Sequence, residues 1–157
     1  MKLSDAVKAR FQRKLTQVNP IFGEMWKRGG FVFSDEYDTA ALEIHDGKFR
    51  ISFNPGYWKR LGSDNRLFII CHEYWHVVLG HWLNPIGNVD AEWMNIAQDI
   101  QVNEILCKTW FKRDKIKNWK DQAWIDTVFK DKAHLVKKDQ DAEYYYKLLI
   151  QCLTPEV

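Results

Sequence analysis

Residues 72–76 read His72-Glu73-Tyr74-Trp75-His76, the H-E-x-x-H pattern, and this stretch decides the fold because the rest of the chain has to support it. On a helix, side chains four residues apart project from one face, so both imidazoles can bind one tetrahedral Zn²⁺. Glu73 lies at the edge of that face, where its carboxylate can act as general base on a metal-bound water without being a ligand. The spacing therefore predicts a zinc site with Glu73 as its catalytic residue.

The sequence on both sides of the motif predicts a core helix. Apolar residues lead into the motif over 67–71 and continue beyond it over 77–79. Ser63 or Asp64 can cap the start of the helix, and Gly80 can end it in a left-handed conformation. Polar side chains inside such a helix are costly unless something satisfies them, and a metal ion with its water would do so.

A catalytic zinc site takes three protein ligands and a water, so one ligand has to come from elsewhere. A second helix is predicted over 90–110, capped by Asp90, and it carries Asn95, Asp99 and Asn103 as a polar stripe at four-residue spacing. Asp99 is the leading candidate for the third ligand. Asn95 and Asn103, one turn to either side, are expected to orient the ligands.

Two alternatives to this assignment stay open at the level of sequence. Asp99 could bond only the ring N–H of a metal-bound histidine. His81 lies five residues after His76, and a sharp chain reversal at Gly80 could bring it back to the metal as the third ligand. If His81 and Asp99 both bind, the metal has four protein ligands, and a closed shell of that kind is structural rather than catalytic.

The remaining chain predicts a mainly helical α+β protein with one small antiparallel sheet packed on the motif helix. Asp46-Gly47 lies between two β-prone runs, which is a strong signal for a two-residue hairpin. The predicted elements are a helix over 4–18, a connector over 20–30, strands over 31–33, 39–45 and 48–53, a helical turn over 57–61, a loop through Pro85 and Gly87, and a last helix over 139–153.

Length, charge and cysteine content narrow the class of protein. The chain has 157 residues, which suits one domain, and its net charge of +2 gives no strong field for nucleic acid or an anionic membrane. Three cysteines, odd in number and far apart, argue against a disulfide framework and predict a reducing, cytoplasmic setting. No apolar run resembles a signal peptide or a membrane span.

A basic and aromatic segment over 111–120 is the one stretch that could serve a different function. Arginine and aromatic side chains suit stacking on nucleic acid bases. Asp114 and Asp121 interrupt the positive charge, so a solvated loop is the favoured interpretation and a nucleic-acid-associated protein the weaker one.

Several segments resemble one known family. The run His72–His81 resembles the metallopeptidase domain that is often found before a von Willebrand A-type domain in bacterial and phage proteins. Trp93–Asp99 resembles the family's W-N-I-A-x-D-like segment, with Met94 inserted, and Asn103 matches the asparagine that follows. The weaker similarities are Asp46-Gly47, Phe53-Asn54-Pro55 and Ala142-Glu143-Tyr144-Tyr145, so that the resemblance covers roughly 36–150.

The resemblance implies a zincin-like fold in which the following helix supplies the third ligand, here Asp99. It also implies a peptide or protein substrate, held by strand addition at a sheet edge for which Lys48–Phe53 is the candidate, and a von Willebrand A-type partner protein. The first hypothesis is accordingly a zinc-dependent metallopeptidase in which Glu73 assists attack of metal-bound water on a peptide bond. The alternative is a non-catalytic, metal-stabilised protein-interaction module of the same fold.

Overall fold

The computed structural model describes residues 1–81 and 90–153, with the side chain of Leu153 excepted. The protein is α+β and mainly helical, as predicted. It divides into two compact units, Met1–Trp75 and His76–Val157, whose boundary falls within one continuous helix. The single domain stays a prediction, because such units describe packing rather than independent folding. The predicted loop through Pro85 and Gly87 lies outside the described residues.

The first unit begins with helix α1, Asp5–Val18, which confirms the predicted N-terminal helix. The Ser4 hydroxyl caps it by accepting a hydrogen bond from the backbone N–H of Val7. Phe11 and Leu15 are buried, as their helical spacing predicts.

Helix α2, Pro20–Arg28, occupies the stretch that was predicted to be a connector, so that prediction is wrong. The Asn19 side chain caps α2 by accepting from the N–H of Ile21 at 2.9 Å. Proline suits the first turn of a helix because an N–H there has no intrahelical acceptor. Pro20 therefore prevents α1 from continuing and is the first residue of α2. The side chain of Phe22 on α2 is fully buried in the first unit.

The sheet has three strands, β1 Gly30–Phe33, β2 Ala40–His45 and β3 Lys48–Phe53, in the order β1-β3-β2. Strands β2 and β3 form the predicted antiparallel hairpin. The φ angles of Asp46 and Gly47, 52° and 75°, put both turn residues in the left-handed region that this turn requires. The hairpin prediction is confirmed.

Strand β1 pairs with β3 in parallel, so the sheet is mixed rather than antiparallel. The alternation of residues within a strand does not predict a parallel neighbouring strand, because parallel pairing depends on the path of the chain between the two strands. Strand β3 is paired on both sides, and the prediction that Lys48–Phe53 forms a sheet edge is wrong. The edges of the described sheet are β1 and β2.

Trp58 is the centre of the first unit's aromatic core. It lies on helix α3, Pro55–Arg60, which the Asn54 side chain caps. The ring centroid of Trp58 is 5.0 Å from that of Phe53 and 5.5 Å from that of Phe11. Its backbone carbonyl accepts two hydrogen bonds from the Arg66 guanidinium, which also stacks 4.5 Å above the indole ring. Arg66 belongs to the motif helix α4, Ser63–Val78, so Trp58 links the sheet to the start of that helix.

The second unit is helical in its described part. Asp90 caps helix α5, Ala91–Thr109, as predicted. Helix α7, Ala142–Leu153, confirms the predicted last helix and packs Tyr145 and Leu149 against α5. Between them lie helix α6, Ile125–Phe129, and three short 3₁₀ helices, Arg113–Lys115, Trp119–Asp121 and Lys130–Leu135.

In the basic segment over 111–120, Arg113 makes its contacts with other residues of the same protein. Both terminal nitrogens of Arg113 donate to the Asp126 carboxylate at 2.7 Å, and its guanidinium stacks 4.0 Å from the Trp119 ring. These contacts do not favour a nucleic-acid site. Every helix within residues 1–81 and 90–153 is either too short or too polar to span a bilayer.

Candidate metal centre

The motif helix α4 presents its polar residues beside a buried face. Its first residue is Ser63, so the two predicted caps, Ser63 and Asp64, lie inside its first turn, and that prediction is wrong. The chain leaves α4 through Gly80, whose φ of 72° is the expected left-handed value. Cys71 and Tyr74 are buried, and burial raises the pKa of the thiol and of the phenol. Both groups therefore stay neutral, and the ionisable chemistry of the motif belongs to its half-buried residues, His72, Glu73 and His76.

Three potential ligands come together in this region, namely His72, His76 and Asp99. Each offers one ligand atom, and these atoms all lie within 4.8 Å of one another. His76 Nε2 is 3.0 Å from Asp99 Oδ1, and the two side chains are 16% and 41% exposed. Two imidazole nitrogens and one carboxylate oxygen form a donor set that zinc accepts at about 2.0–2.2 Å from each atom. The residues therefore fit a single divalent ion that solvent can reach.

The first histidine is positioned by its own helix. The ring of Phe68, one turn before His72, lies with its centroid 6.4 Å from the imidazole centroid. Phe68 is fully buried, so this neighbour of the His72 ring belongs to the core. This contact is recoverable from sequence, because residues four apart on a helix are neighbours.

His81 lies on the other side of His76 from Asp99. Its Nδ1 is 2.7 Å from His76 Nδ1, and its Nε2 is 2.8 Å from the Gln101 side-chain oxygen. Within the described residues, His81 does not belong to the group of three ligand atoms. Its observed contacts favour a hydrogen-bonding position over the alternative ligand position.

The two asparagines of the predicted polar stripe have different environments. Asn95 is exposed. Asn103 is 1% exposed, and its side-chain N–H donates to the backbone carbonyl of Ala123 at 2.9 Å, which ties α5 to the segment before α6. Their role in orienting the metal ligands stays a prediction, as does the role of Glu73 as general base.

Gln101 is the residue of this region that the sequence does not single out. A glutamine is a poor metal ligand in a histidine and carboxylate site, and no motif spacing marks it. It lies two residues after Asp99 on α5, and its contact with His81 depends on the tertiary fold rather than on local sequence.

The half-buried group of two histidines and one aspartate has the composition of a metal-dependent hydrolase site. The sequence profile of the family described as "Putative metallopeptidase domain" matches residues 3–149, and the chain belongs to this family. The match includes α1 and is therefore longer than the predicted span of 36–150. No curated protein and no solved structure matches the chain.

Proposed function

We propose that this protein is a zinc-dependent peptidase of zincin-like fold that hydrolyses peptide bonds in peptide or protein substrates. The observation that carries the proposal is the cluster of His72, His76 and Asp99 with ligand atoms within 4.8 Å of one another. Membership of a family described as a metallopeptidase domain supports the same reaction class. The three free cysteines are consistent with a reducing, cytoplasmic setting.

The donor set supports zinc as the ion. Imidazole and carboxylate together suit zinc among the common divalent metals. Among the described residues, His81 lies against the Nδ1 of His76 rather than in the ligand group, which supports a site with three protein ligands. Three ligands with an open position are typical of catalytic zinc sites, whereas four are typical of structural ones. This geometry supports the enzyme over the closed, structural module.

His72, His76 and Asp99 would hold the ion, and Glu73 would move the proton. When bound, zinc supplies Lewis acidity that polarises a carbonyl and lowers the pKa of a water to about 7. Glu73 is half-buried and adjacent to His72, so its carboxylate can take a proton from the attacking water. Glu73 then gives that proton to the leaving amine, which completes cleavage of the peptide bond and returns the carboxylate to its starting state.

The test compares zinc-loaded wild type with Glu73→Gln and with a matched control, Glu36→Gln. Glu36 is exposed and lies outside α4. Cleavage of a library of unstructured peptides is read by mass spectrometry, and bound zinc is measured for each protein. We expect all three proteins to bind one zinc ion, with Glu73→Gln cleaving roughly 100-fold or more slowly because a general base is lost. Wild-type cleavage by Glu73→Gln, or no cleavage by the zinc-loaded wild type, would contradict the proposal.

A further inference from the structure

We propose that His81 and Gln101 are positioning residues that determine which nitrogen of His76 binds the metal. We call the hydrogen-bonded chain Gln101–His81–His76 the histidine relay. The relay holds the His76 proton on Nδ1 and so leaves the Nε2 lone pair directed at the metal position. This inference rests on the proposed metal site, and it concerns residues to which neither the family description nor the H-E-x-x-H motif assigns a role.

The relay begins at the start of α7. The backbone N–H of Ala142 donates to the Gln101 side-chain oxygen at 3.2 Å. Because a backbone N–H can only donate, the amide atom that faces it must be the oxygen and not the nitrogen. The same oxygen is 2.8 Å from His81 Nε2, so His81 Nε2 must carry a hydrogen.

The second step follows from the chemistry of imidazole. A neutral histidine with its hydrogen on Nε2 has a lone pair on Nδ1 and accepts there. His81 Nδ1 is 2.7 Å from His76 Nδ1, a distance that requires a hydrogen between them. With His81 neutral, His76 Nδ1 is the donor.

The third step concerns the remaining nitrogen of His76. With the ring hydrogen on Nδ1, Nε2 of the neutral ring carries a lone pair, and it lies 3.0 Å from Asp99 Oδ1. A nitrogen lone pair and a carboxylate oxygen at this distance need a cation to join them, and that cation can be a proton or a metal ion. The relay thus prepares His76 Nε2 and Asp99 as a pair of ligands for one ion.

The competing arrangement is chemically distinct. If the His81 ring were an imidazolium, His81 Nδ1 would donate to His76 Nδ1, and the His76 hydrogen would lie on Nε2 and point at Asp99. His76 could then bind no metal through that nitrogen. Metal-ligating histidines commonly donate their second N–H to a neighbouring acceptor, and the relay supplies an imidazole as that acceptor.

Nuclear magnetic resonance of the zinc-loaded full chain, labelled with ¹⁵N in its histidines, reads the tautomers directly. We expect the hydrogen of His76 on Nδ1 with Nε2 shifted by the metal, and the hydrogen of His81 on Nε2 with no metal shift on either nitrogen. A hydrogen on His81 Nδ1, or a metal shift on a His81 nitrogen, would overturn the proposal.

Zinc affinity, measured by competition with a chromophoric chelator, provides the second test. Gln101→Glu keeps an acceptor for both Ala142 and His81, so it should bind zinc about as tightly as wild type. Gln101→Leu removes that acceptor and should lower affinity by roughly 10–100-fold, the usual effect of losing a partner of a metal ligand. Gln151→Leu, at an exposed position of α7, is the matched control and should leave affinity unchanged. Circular dichroism with and without chelator confirms that each variant is folded.

Failure of the relay and failure of the peptidase are separable, because zinc affinity and tautomer do not depend on cleavage. If Gln101→Leu loses zinc affinity and wild type cleaves no peptide, the results support the relay and contradict the proposed reaction. If Gln101→Leu binds zinc with normal affinity and wild type cleaves peptides, the results contradict the relay and support the reaction.

Discussion

Within the proposed metal site, the side chains of His76 and Asp99 are in direct contact. His76 is mostly covered, whereas the Asp99 carboxylate is 41% exposed, so the site is open to water on its acidic side. A partly exposed carboxylate keeps its hydration until an ion replaces it, which limits the desolvation cost of holding a charge there. The backbone of Asp99 is therefore held in α5, while its carboxylate is accessible to solvent.

The Asp99→Asn substitution tests this residue as a ligand. The amide keeps the shape of the side chain but loses its negative charge, so we expect zinc affinity to fall roughly 100-fold or more, beyond the effect of losing a hydrogen-bonding partner of a ligand. Glu92→Gln, which removes one negative charge at an exposed position in the first turn of α5, serves as the control and should bind zinc normally. Equal affinity in Asp99→Asn and wild type would show that another residue is the third ligand.

A second residue-scale prediction concerns the ion pair of Arg113 and Asp126. A hydrogen bond from the Arg113 guanidinium holds the pKa of Asp126 below its usual value. Because the folded-state pKa is the lower one, the pair stabilises the protein above the unfolded value of about 3.9 and the contribution is lost as the pH falls through the folded pKa. The Asp126 side chain is half exposed, so we expect at most about 1 kcal/mol.

Denaturant unfolding of wild type and Asp126→Asn between pH 7 and pH 2 measures this contribution. The variant should be less stable near pH 7, and the two free energies of unfolding should converge in acid. Asp131→Asn is the control, since Asp131 is exposed and makes no ion pair within residues 1–81 and 90–153. Parallel curves for wild type and Asp126→Asn would contradict the prediction.

The proposed site contains residues that a sequence motif marks and residues that only the folded geometry brings to it. His72, Glu73 and His76 are set by one helical turn, and Asp99 follows from a polar stripe on an otherwise apolar helix. The place of His81 depends on how the chain turns after Gly80, and the place of Gln101 depends on how α5 lies beside it. Neither relation is local, so the pattern of residues alone left His81 as a candidate ligand.

At the scale of the element, the end of α4 determines where His81 can reach. Gly80 has a φ of 72°, and a Cβ at this position would meet no atom of residues 1–81 and 90–153 within 4 Å. A substitution there therefore tests backbone conformation without a steric clash. The left-handed turn is what redirects the chain so that His81 meets His76.

We expect Gly80→Ala to lower the free energy of unfolding by about 1–2 kcal/mol, because a Cβ is disfavoured in the left-handed region. Gly80→Asn should cost less, since asparagine tolerates this conformation better than other residues with a side chain. Thermal and denaturant unfolding of the two variants give the comparison. Equal stability of Gly80→Ala and wild type would mean that the turn imposes no such requirement.

Local signals identified most elements, and their failures have physical causes. The hairpin follows from Asp46-Gly47, and α1, α4, α5 and α7 follow from helical spacing and caps. Helix α2 has no clear local signal, because a proline after a helix is typical of a terminator, although proline also suits a first helical turn. The parallel pairing of β1 with β3 joins strands that are not consecutive in sequence, and no residue pattern within either strand encodes it.

At the scale of the whole molecule, a metal ion that binds only the folded chain must raise its stability. By linkage, a free zinc concentration one hundred times the dissociation constant contributes about 2.7 kcal/mol. We expect zinc to raise the melting temperature of wild type and a chelator to reverse the rise. His76→Ala, which removes a proposed ligand, should melt at one temperature with and without zinc. An equal zinc response in His76→Ala would assign the stabilisation to another site.

The central claim is that His72, His76 and Asp99 together hold one metal ion, and an anomalous-difference map collected at the zinc edge tests it most directly. In crystals grown with zinc, we predict one strong peak in contact with a nitrogen of each histidine and with the Asp99 carboxylate, while His81 remains hydrogen-bonded to His76 Nδ1. A map without a peak between these residues, or a peak ligated by His81 in place of Asp99, would contradict the account.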